Sequence, residues 1–384
     1  MSVAGILTFF VSIEAGARFY HFIKYKDPGV FLYGKRYISS LFVQLKQPKE
    51  TMLMKSASIS DDTDEVFRRR SQRDVPQAEY APGKVNAGGY MAYINKYGLR
   101  HGDIGLAKEP GTVRILVLGE SFVLCPGLPD ESTWTYILEG LLNKLPAKYE
   151  VLNAGAGGGN TDFALTGLID RYIRLSPDYV MLFSAHNDRS ALKGEKKTSL
   201  AYRISHVLYN VSQFYAMVRE KSSLMLFKDN NYYLYDYDIA LRQADVEKAL
   251  ELYRKRLGQI YTVCKENHAV FVLGLQPEFI PGGLKELQDL LDEKKLAALE
   301  EKVRKEGRLS YYEFEYYMQG RFNVEMKTFA LENGVLLFDG ISAFPSDKYP
   351  FFKDEIHLNG KGSEMFANAL YRFFISKGIA RQAG

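Results

Sequence analysis

Between Val113 and Phe183 the hydrophobic pattern alternates between two periods, and this alternation constrains the fold more than any other feature. Val113 to Leu118 reads as a buried strand. Ser132 to Leu145 sets Trp134, Ile137, Leu138, Leu141 and Leu142 along one side of a helix. Tyr149 to Leu152 reads as a second strand, Asp162 to Arg174 as a helix, and Tyr179 to Phe183 as a third strand. Short apolar runs separated by amphipathic helices require right-handed crossovers. The product is a three-layer α/β/α sandwich around a mainly parallel sheet. Such sheets carry their sites on the loops at the carboxyl ends of the strands.

The remaining segments extend this pattern. Tyr90 to Asn95 reads as a strand, Ala244 to Asn267 as a long helix and Ala269 to Leu275 as a strand. Leu284 to Arg308 is charged and helical, with Glu300–Arg304 and Glu301–Lys305 as i,i+4 pairs. Tyr311 to Asn333 continues helically, Val335 to Phe338 is a last strand, and Gly362 to Ser376 closes the fold as a helix. Gly194 to Tyr237, rich in Tyr, Ser and Lys, reads as an insertion or lid. The expected organisation is residues 1–24 as a membrane anchor or amphipathic helix and residues 25–85 as a linker. Residues 86–384 form the folded domain, interrupted by an insertion at 190–243.

Composition excludes several classes. Of the 384 residues, 46% are hydrophobic and 25% charged, which is globular composition. The net charge of +4 is mild and interspersed, and the run Arg68-Arg69-Arg70 follows the acids of 61–65, so no nucleic-acid partner is indicated. The two cysteines, Cys125 and Cys264, give neither a disulfide framework nor metal-ligand spacing, and no metal is expected.

The N-terminal apolar stretch, residues 3–23, is interrupted by Glu14 and Arg18. The uninterrupted part, Val3 to Ile13, is shorter than the roughly 18–20 residues of a spanning helix. Membrane attachment through a single N-terminal anchor is the expectation, with an amphipathic helix packed on the body as the alternative. Arg18, Lys24 and Lys26 follow it, which by the positive-inside rule favours a cytoplasmic body; an anchor lacking upstream residues would leave sidedness open.

Four loops carry residues able to do chemistry. Ser121 follows the first strand and opens a helix, where its backbone N–H and hydroxyl meet a site favouring negative charge. A plain helix-capping serine is the competing reading. Asn153 to Thr161 is glycine-rich, but the dinucleotide fingerprint fails at Asn160 and no Gly-Lys-Ser/Thr follows, so no nucleotide cofactor is expected. Such a loop can still offer a backbone N–H to an oxyanion. In Ser184-Ala185-His186-Asn187-Asp188, Asn187 is a second candidate donor and Asp188 a candidate tether, against ordinary turn chemistry. Asp354 and His357 lie three apart, a spacing that lets a carboxylate fix an imidazole tautomer. His186 is the rival base.

Taken in order, these blocks resemble the SGNH (GDSL-type) hydrolases. Gly119-Glu120-Ser121-Phe122 is similar to the Gly-Asp-Ser block, with Glu120 in place of Asp. Asn153 to Gly159 is similar to the glycine block. Ala185-His186-Asn187-Asp188 matches Gly-x-Asn-Asp with Ala185 for glycine, and Asp354-Glu355-Ile356-His357 matches the terminal Asp-x-x-His. The resemblance covers about the last two-thirds of the chain. It implies a flavodoxin-like SGNH fold and a Ser121–His357–Asp354 triad. The implied oxyanion hole comprises the N–H groups of Ser121 and Gly158 and the amide of Asn187. The implied activity is hydrolysis of a small-molecule or glycan ester without a cofactor. Transfer of the acyl group to a glycan hydroxyl, or glycan binding on an idle site, are the alternatives. Ile94 to Arg100 also resembles a lead-in found in membrane-anchored bacterial members.

Overall fold

The computed structural model describes residues 11–16, 18–19, 83–86, 91–193, 238–278, 293–345 and 348–380. The chain divides into two units, residues 1–74 with 195–229 and residues 75–194 with 230–384. In the first, residues 11–16 and 18–19 are helical, and Arg18 Nε donates to Glu14 at 2.8 Å. No helix of the described residues is long and apolar enough to cross a membrane. Most of the anchor stretch, the linker and the Gly194–Tyr237 insertion lie outside the described residues.

The second unit is built on five parallel strands: β3 (Thr112–Gly119), β4 (Lys148–Gly155), β5 (Tyr179–Phe183), β7 (Val270–Leu275) and β9 (Leu336–Asp339). Their spatial order is β4-β3-β5-β7-β9. Taken as the first to fifth strands of the sheet, that is 2-1-3-4-5, the flavodoxin-like doubly wound order. The expected sandwich is present. A hairpin of β1 (Gly83–Asn86) and β2 (Met91–Ile94) precedes the sheet, and β6 (Asp238–Ala240) pairs with β8 (Arg308–Ser310).

The strands are buried on both faces, and alternate residues feed two cores. Leu116, Leu118, Leu152, Val180, Leu182 and Leu273 pack on one side with α3 (Thr161–Gly167), α5 (Gln243–Glu266), α6 (Glu293–Glu306) and α7 (Tyr311–Asn333). Ile115, Val117, Val151, Met181, Phe183 and Val272 pack on the other with α1 (Ser121–Leu124), α2 (Trp134–Leu142) and α8 (Gly360–Ser376). On that side Phe122, Trp134, Phe183 and Phe366 form an aromatic nest with centroids 5.1–6.0 Å apart.

Three local expectations are corrected. The helix expected over 162–174 ends at Gly167 and continues as a π turn and a 3₁₀ turn to Leu175. The charged helix stops at Glu306. Gly307, at φ +65°, turns the chain into β8, and Ser310 then caps α7 in a capping box with Glu313. Glu301 pairs with Lys305 at 3.1 Å as expected, but Arg304 also turns to Glu301, while Glu300 pairs with Arg321 of α7 at 3.3 Å.

Candidate active site

Ser121 is the first residue of α1, directly beyond the carboxyl end of β3. The buried Phe122, Val123 and Leu124 hold this single turn in the core. Arg100 fixes its far end: the buried guanidinium donates to the carbonyls of Leu124 (2.7 Å), Cys125 (2.9 Å) and Leu128 (2.6 Å), and pairs with Asp130 (2.7 Å). The lead-in segment ending at Arg100 thus braces the Ser121 turn. Cys125 is a spectator: its buried thiol is pushed up to about 11 by desolvation and points at the Phe122 carbonyl.

The glycine loop leaves β4 beside Ser121. Asn153 of β4 spends its side chain on structure, donating to Val123 O (2.7 Å) and Thr135 (3.0 Å) and accepting from Gly155 N–H (3.0 Å). A Cβ at Gly155 would lie 2.2 Å from Leu124 N, so only glycine lets the strand end approach α1 this closely. Gly158, exposed and at φ +72°, takes the left-handed conformation that glycine favours. The N–H groups of Ser121 and Gly158 donate to no acceptor among the described residues.

The third block follows β5 and opens α4 (His186–Ser190). Ala185 holds φ +115°, a conformation strained for any residue with a Cβ, where the family pattern has glycine. Glu120 anchors this turn. Its buried carboxyl accepts from Ala185 N–H at 2.9 Å and from Asn187 N–H at 3.1 Å. Desolvation and then the charge of Asp188 raise the Glu120 carboxyl well above its ordinary range. The longer side chain at 120 is therefore a brace between the Ser121 turn and the Asn187 loop. Asn187 Nδ2 donates one N–H to Gly159 O at 2.7 Å, which ties this loop to the glycine loop. Asp188 is the expected tether, accepting from Thr161 N–H (3.0 Å) and Oγ1 (2.7 Å). Ser121, Gly158 and Asn187 thus sit on consecutive loops at the carboxyl ends of three adjacent strands.

The fourth block lies between β9 and α8. Asp354 accepts from the N–H groups of Ile356 (3.1 Å) and His357 (2.7 Å). Its carboxylate oxygens lie 2.9 and 2.7 Å from His357 Nδ1. Desolvation would raise the Asp354 carboxyl, but the hydrogen bonds and charge of His357 outweigh it and hold it below its ordinary value. A carboxylate can only accept, so Nδ1 carries a proton, and in the neutral tautomer this assigns, Nε2 presents a lone pair. Nε2 is buried and without a hydrogen-bond partner. No hydrogen bond joins it to Ser121. The loop nevertheless shares a core with the Ser121 turn, since Phe352, Ile356 and Leu358 pack in the cluster that holds Phe122, and Lys353 Nζ donates to Pro126 O.

A buried ionic cluster beside the site was not foreseen from sequence. Arg189 donates to Glu278 and to Glu315, and lies against His186. Lys193 pairs with Glu315 and sits 5.0 Å from the ring centroid of Tyr311, whose hydroxyl donates to Glu355 at 3.0 Å. Desolvation works against Glu278 and Glu315, but Arg189 holds both carboxyls below their ordinary range. His186, Glu278 and Glu315 have metal-ligand chemistry, but the two carboxylates are already paired with two cations, Arg189 and Lys193. The available signals were Arg189 at i+3 from His186 on one helix face, and Glu278 just beyond the end of β7.

No protein-family model and no curated protein matches the chain. Solved structures similar to it include an acetyl xylan esterase, AlAXEase, at 14% identity over 68% of this chain and 100% of that one (TM-score 0.40). A GDSL-like lipase from Bacteroides thetaiotaomicron is 10% identical over 71% of this chain and 93% of its own (TM-score 0.39). LAE5, an alpha/beta hydrolase from the metagenome of Lake Arreo, Spain, is 15% identical over 70% of this chain and 97% of its own (TM-score 0.41). The fold assignment rests on the strand order and parallel register described above.

Proposed function

We propose that this chain is a serine ester hydrolase of the SGNH type, removing an acyl group such as acetyl through an acyl-serine intermediate. The observation that carries the reading is the state of His357. Its Nδ1 proton is committed to Asp354, and its Nε2 lone pair is buried and unclaimed. A buried acceptor without a donor is costly unless it has work to do. In the proposed reaction Nε2 takes the Ser121 hydroxyl proton as Oγ attacks the ester carbonyl. Serine–histidine contacts in unliganded enzymes are commonly long and tighten on the reacting complex.

The tetrahedral oxyanion then draws on the N–H groups of Ser121 and Gly158 and on the second N–H of Asn187, the first being held by Gly159. Each donor contributes about 3 kcal/mol to the transition state. His357 returns its proton to the departing alcohol, and water repeats the sequence to free Ser121. Residues 3–23 are assigned membrane attachment in the same proposal.

The test is turnover of short acyl esters by the purified full chain. Wild type releases free acid, whereas Ser121→Ala and His357→Ala each lose at least about a thousandfold in kcat. Retention of activity by Ser121→Ala sinks the assignment. With a glycan added as acceptor, a product consisting of acyl-glycan in place of free acid would establish a transferase on the same site.

A further inference from the structure

The carbonyls that leave the Ser121 turn are held by two cations from distant parts of the chain. Arg100 donates to those of Leu124, Cys125 and Leu128, and the Lys353 ammonium donates to that of Pro126. Cys125 ends the turn in the left-handed region, at φ 54° and ψ 54°, a conformation that costs a residue with a Cβ. Its N–H closes the turn onto Ser121 O at 2.9 Å. Lys353 thus grips the chain one residue beyond the hydrogen bond that closes on Ser121 itself.

Lys353 is tied just as firmly to the His357 side. Its backbone N–H donates to His357 O at 2.9 Å, and the flanking residues Phe352 and Leu358 form an antiparallel bridge. The carboxylate of the next residue, Asp354, accepts from the N–H groups of Ile356 and His357. Residues 352–358 are therefore a closed loop in which Lys353, Asp354 and His357 are held as one piece. The ammonium is near enough for its charge to favour the ionised Asp354 carboxyl. The apolar contacts of Phe352, Ile356 and Leu358 with the cluster around Phe122 hold the loop and the turn together, but such burial has no direction. A charge-assisted hydrogen bond from an ammonium to one carbonyl does have a direction, and it sets the register of one piece against the other. Register matters here because no hydrogen bond joins His357 Nε2 to Ser121 among the described residues.

We propose that Lys353 is a positioning residue: its bond to Pro126 O holds the Asp354–His357 loop in register with the Ser121 turn, so that Nε2 and Oγ meet when an ester is bound. The catalytic consequence rests on the serine ester hydrolase reading, whereas the mechanical link between the two segments does not.

Two measurements on the full chain separate the link from the chemistry. Amide hydrogen exchange, followed by peptide mass spectrometry, reads the link. Lys353→Met keeps the apolar stem and removes the donor. It is expected to speed exchange severalfold in the peptides covering 121–128 and 352–358 together, with the rest of the domain unchanged. Unchanged exchange in either segment overturns the proposal, whatever the protein hydrolyses. Kinetics on 4-nitrophenyl acetate read the consequence. Lys353→Met is expected to lower kcat by about tenfold or more while KM stays within about twofold, because displaced reacting groups cost rate and not binding. Lys353→Arg, which keeps a cationic donor, is expected to return kcat to within about threefold of wild type. A wild-type kcat in Lys353→Met overturns the proposal, as does a Lys353→Arg no better than Lys353→Met. A loss shared equally by kcat and KM would reduce Lys353 to a structural residue. If the exchange result holds but wild type cleaves no acyl ester, the hydrolase reading fails and the catalytic half of the proposal falls with it.

Discussion

Glu120 is the residue that best separates what the motif says from what the side chain does. The sequence marks it only as a longer acid beside the serine. In the folded chain it is fully buried and accepts from Ala185 N–H and Asn187 N–H. Glu120→Ala leaves the buried Ala185 N–H and the half-buried Asn187 N–H without their acceptor, at about 1–3 kcal/mol for the buried one, and is expected to lower both stability and kcat. Glu120→Gln keeps one acceptor oxygen for both donors and should cost less than about 1 kcal/mol, as read by chemical denaturation. Glu355 yields a pH prediction. Desolvation and then the charge of Glu315 push its carboxyl up to about 7, against a hydrogen bond from Tyr311. For an acid raised on folding, the favourable contribution is full below its unfolded value and is lost as pH rises through the folded value. Glu355→Gln should therefore melt with wild type near pH 4 and above wild type at pH 8. A lower melting temperature than wild type at pH 8 would show that the ionised carboxylate is favourable in place.

At the scale of elements, most of the sheet was legible and the breaks were not. Tyr179–Phe183 and Tyr311–Asn333 fall where periodicity put them, because a run buried on both faces and a long helix are set by local pattern. The break at 307–310 was missed because the charged helix and α7 share one helical period. The Ser310–Glu313 capping box was the signal available to find it. The π turn after Gly167 has no signature in the periodicity. Approach distances between elements are also invisible to pattern, and Gly155 is the clearest case. Its missing Cβ lets the end of β4 pack on the backbone of α1, with atoms as near as 2.2 Å to the position a Cβ would take. Backbone cannot step aside as a side chain can, so Gly155→Ala is expected to destabilise by more than about 3 kcal/mol or to prevent folding. Gly158→Ala has open space and pays only backbone strain of roughly 1 kcal/mol. Comparing the two denaturation midpoints checks the argument. Equal midpoints would contradict it.

Across the whole molecule, sequence indicated the four blocks and their order, since each is a short local pattern after a strand. It did not indicate what joins them, because the joining groups come from distant parts of the chain. The Arg189 cluster draws on α4, the end of β7 and α7, with Tyr311 carrying it on to Glu355 beside the Asp354–His357 pair. Removing one partner of such a buried set strands the opposite charge. Glu278→Ala should cost about 3–5 kcal/mol in global stability, measured by denaturation. A loss under about 1 kcal/mol would mean the cluster is not dry. Glu278, Glu315 and Asp354 are all held below their ordinary values, so their contribution is complete above the ordinary carboxyl range and is lost as pH falls through the folded values.

The central claim is that Ser121, with His357 as base, takes up an acyl group. The most direct measurement is intact-protein and peptide mass spectrometry of the full chain quenched in acid during turnover of an activated acyl ester. The account predicts one acyl adduct, on the peptide containing Ser121, absent from Ser121→Ala and slow to form in His357→Ala. An adduct on another residue, or one that persists in Ser121→Ala, would contradict it.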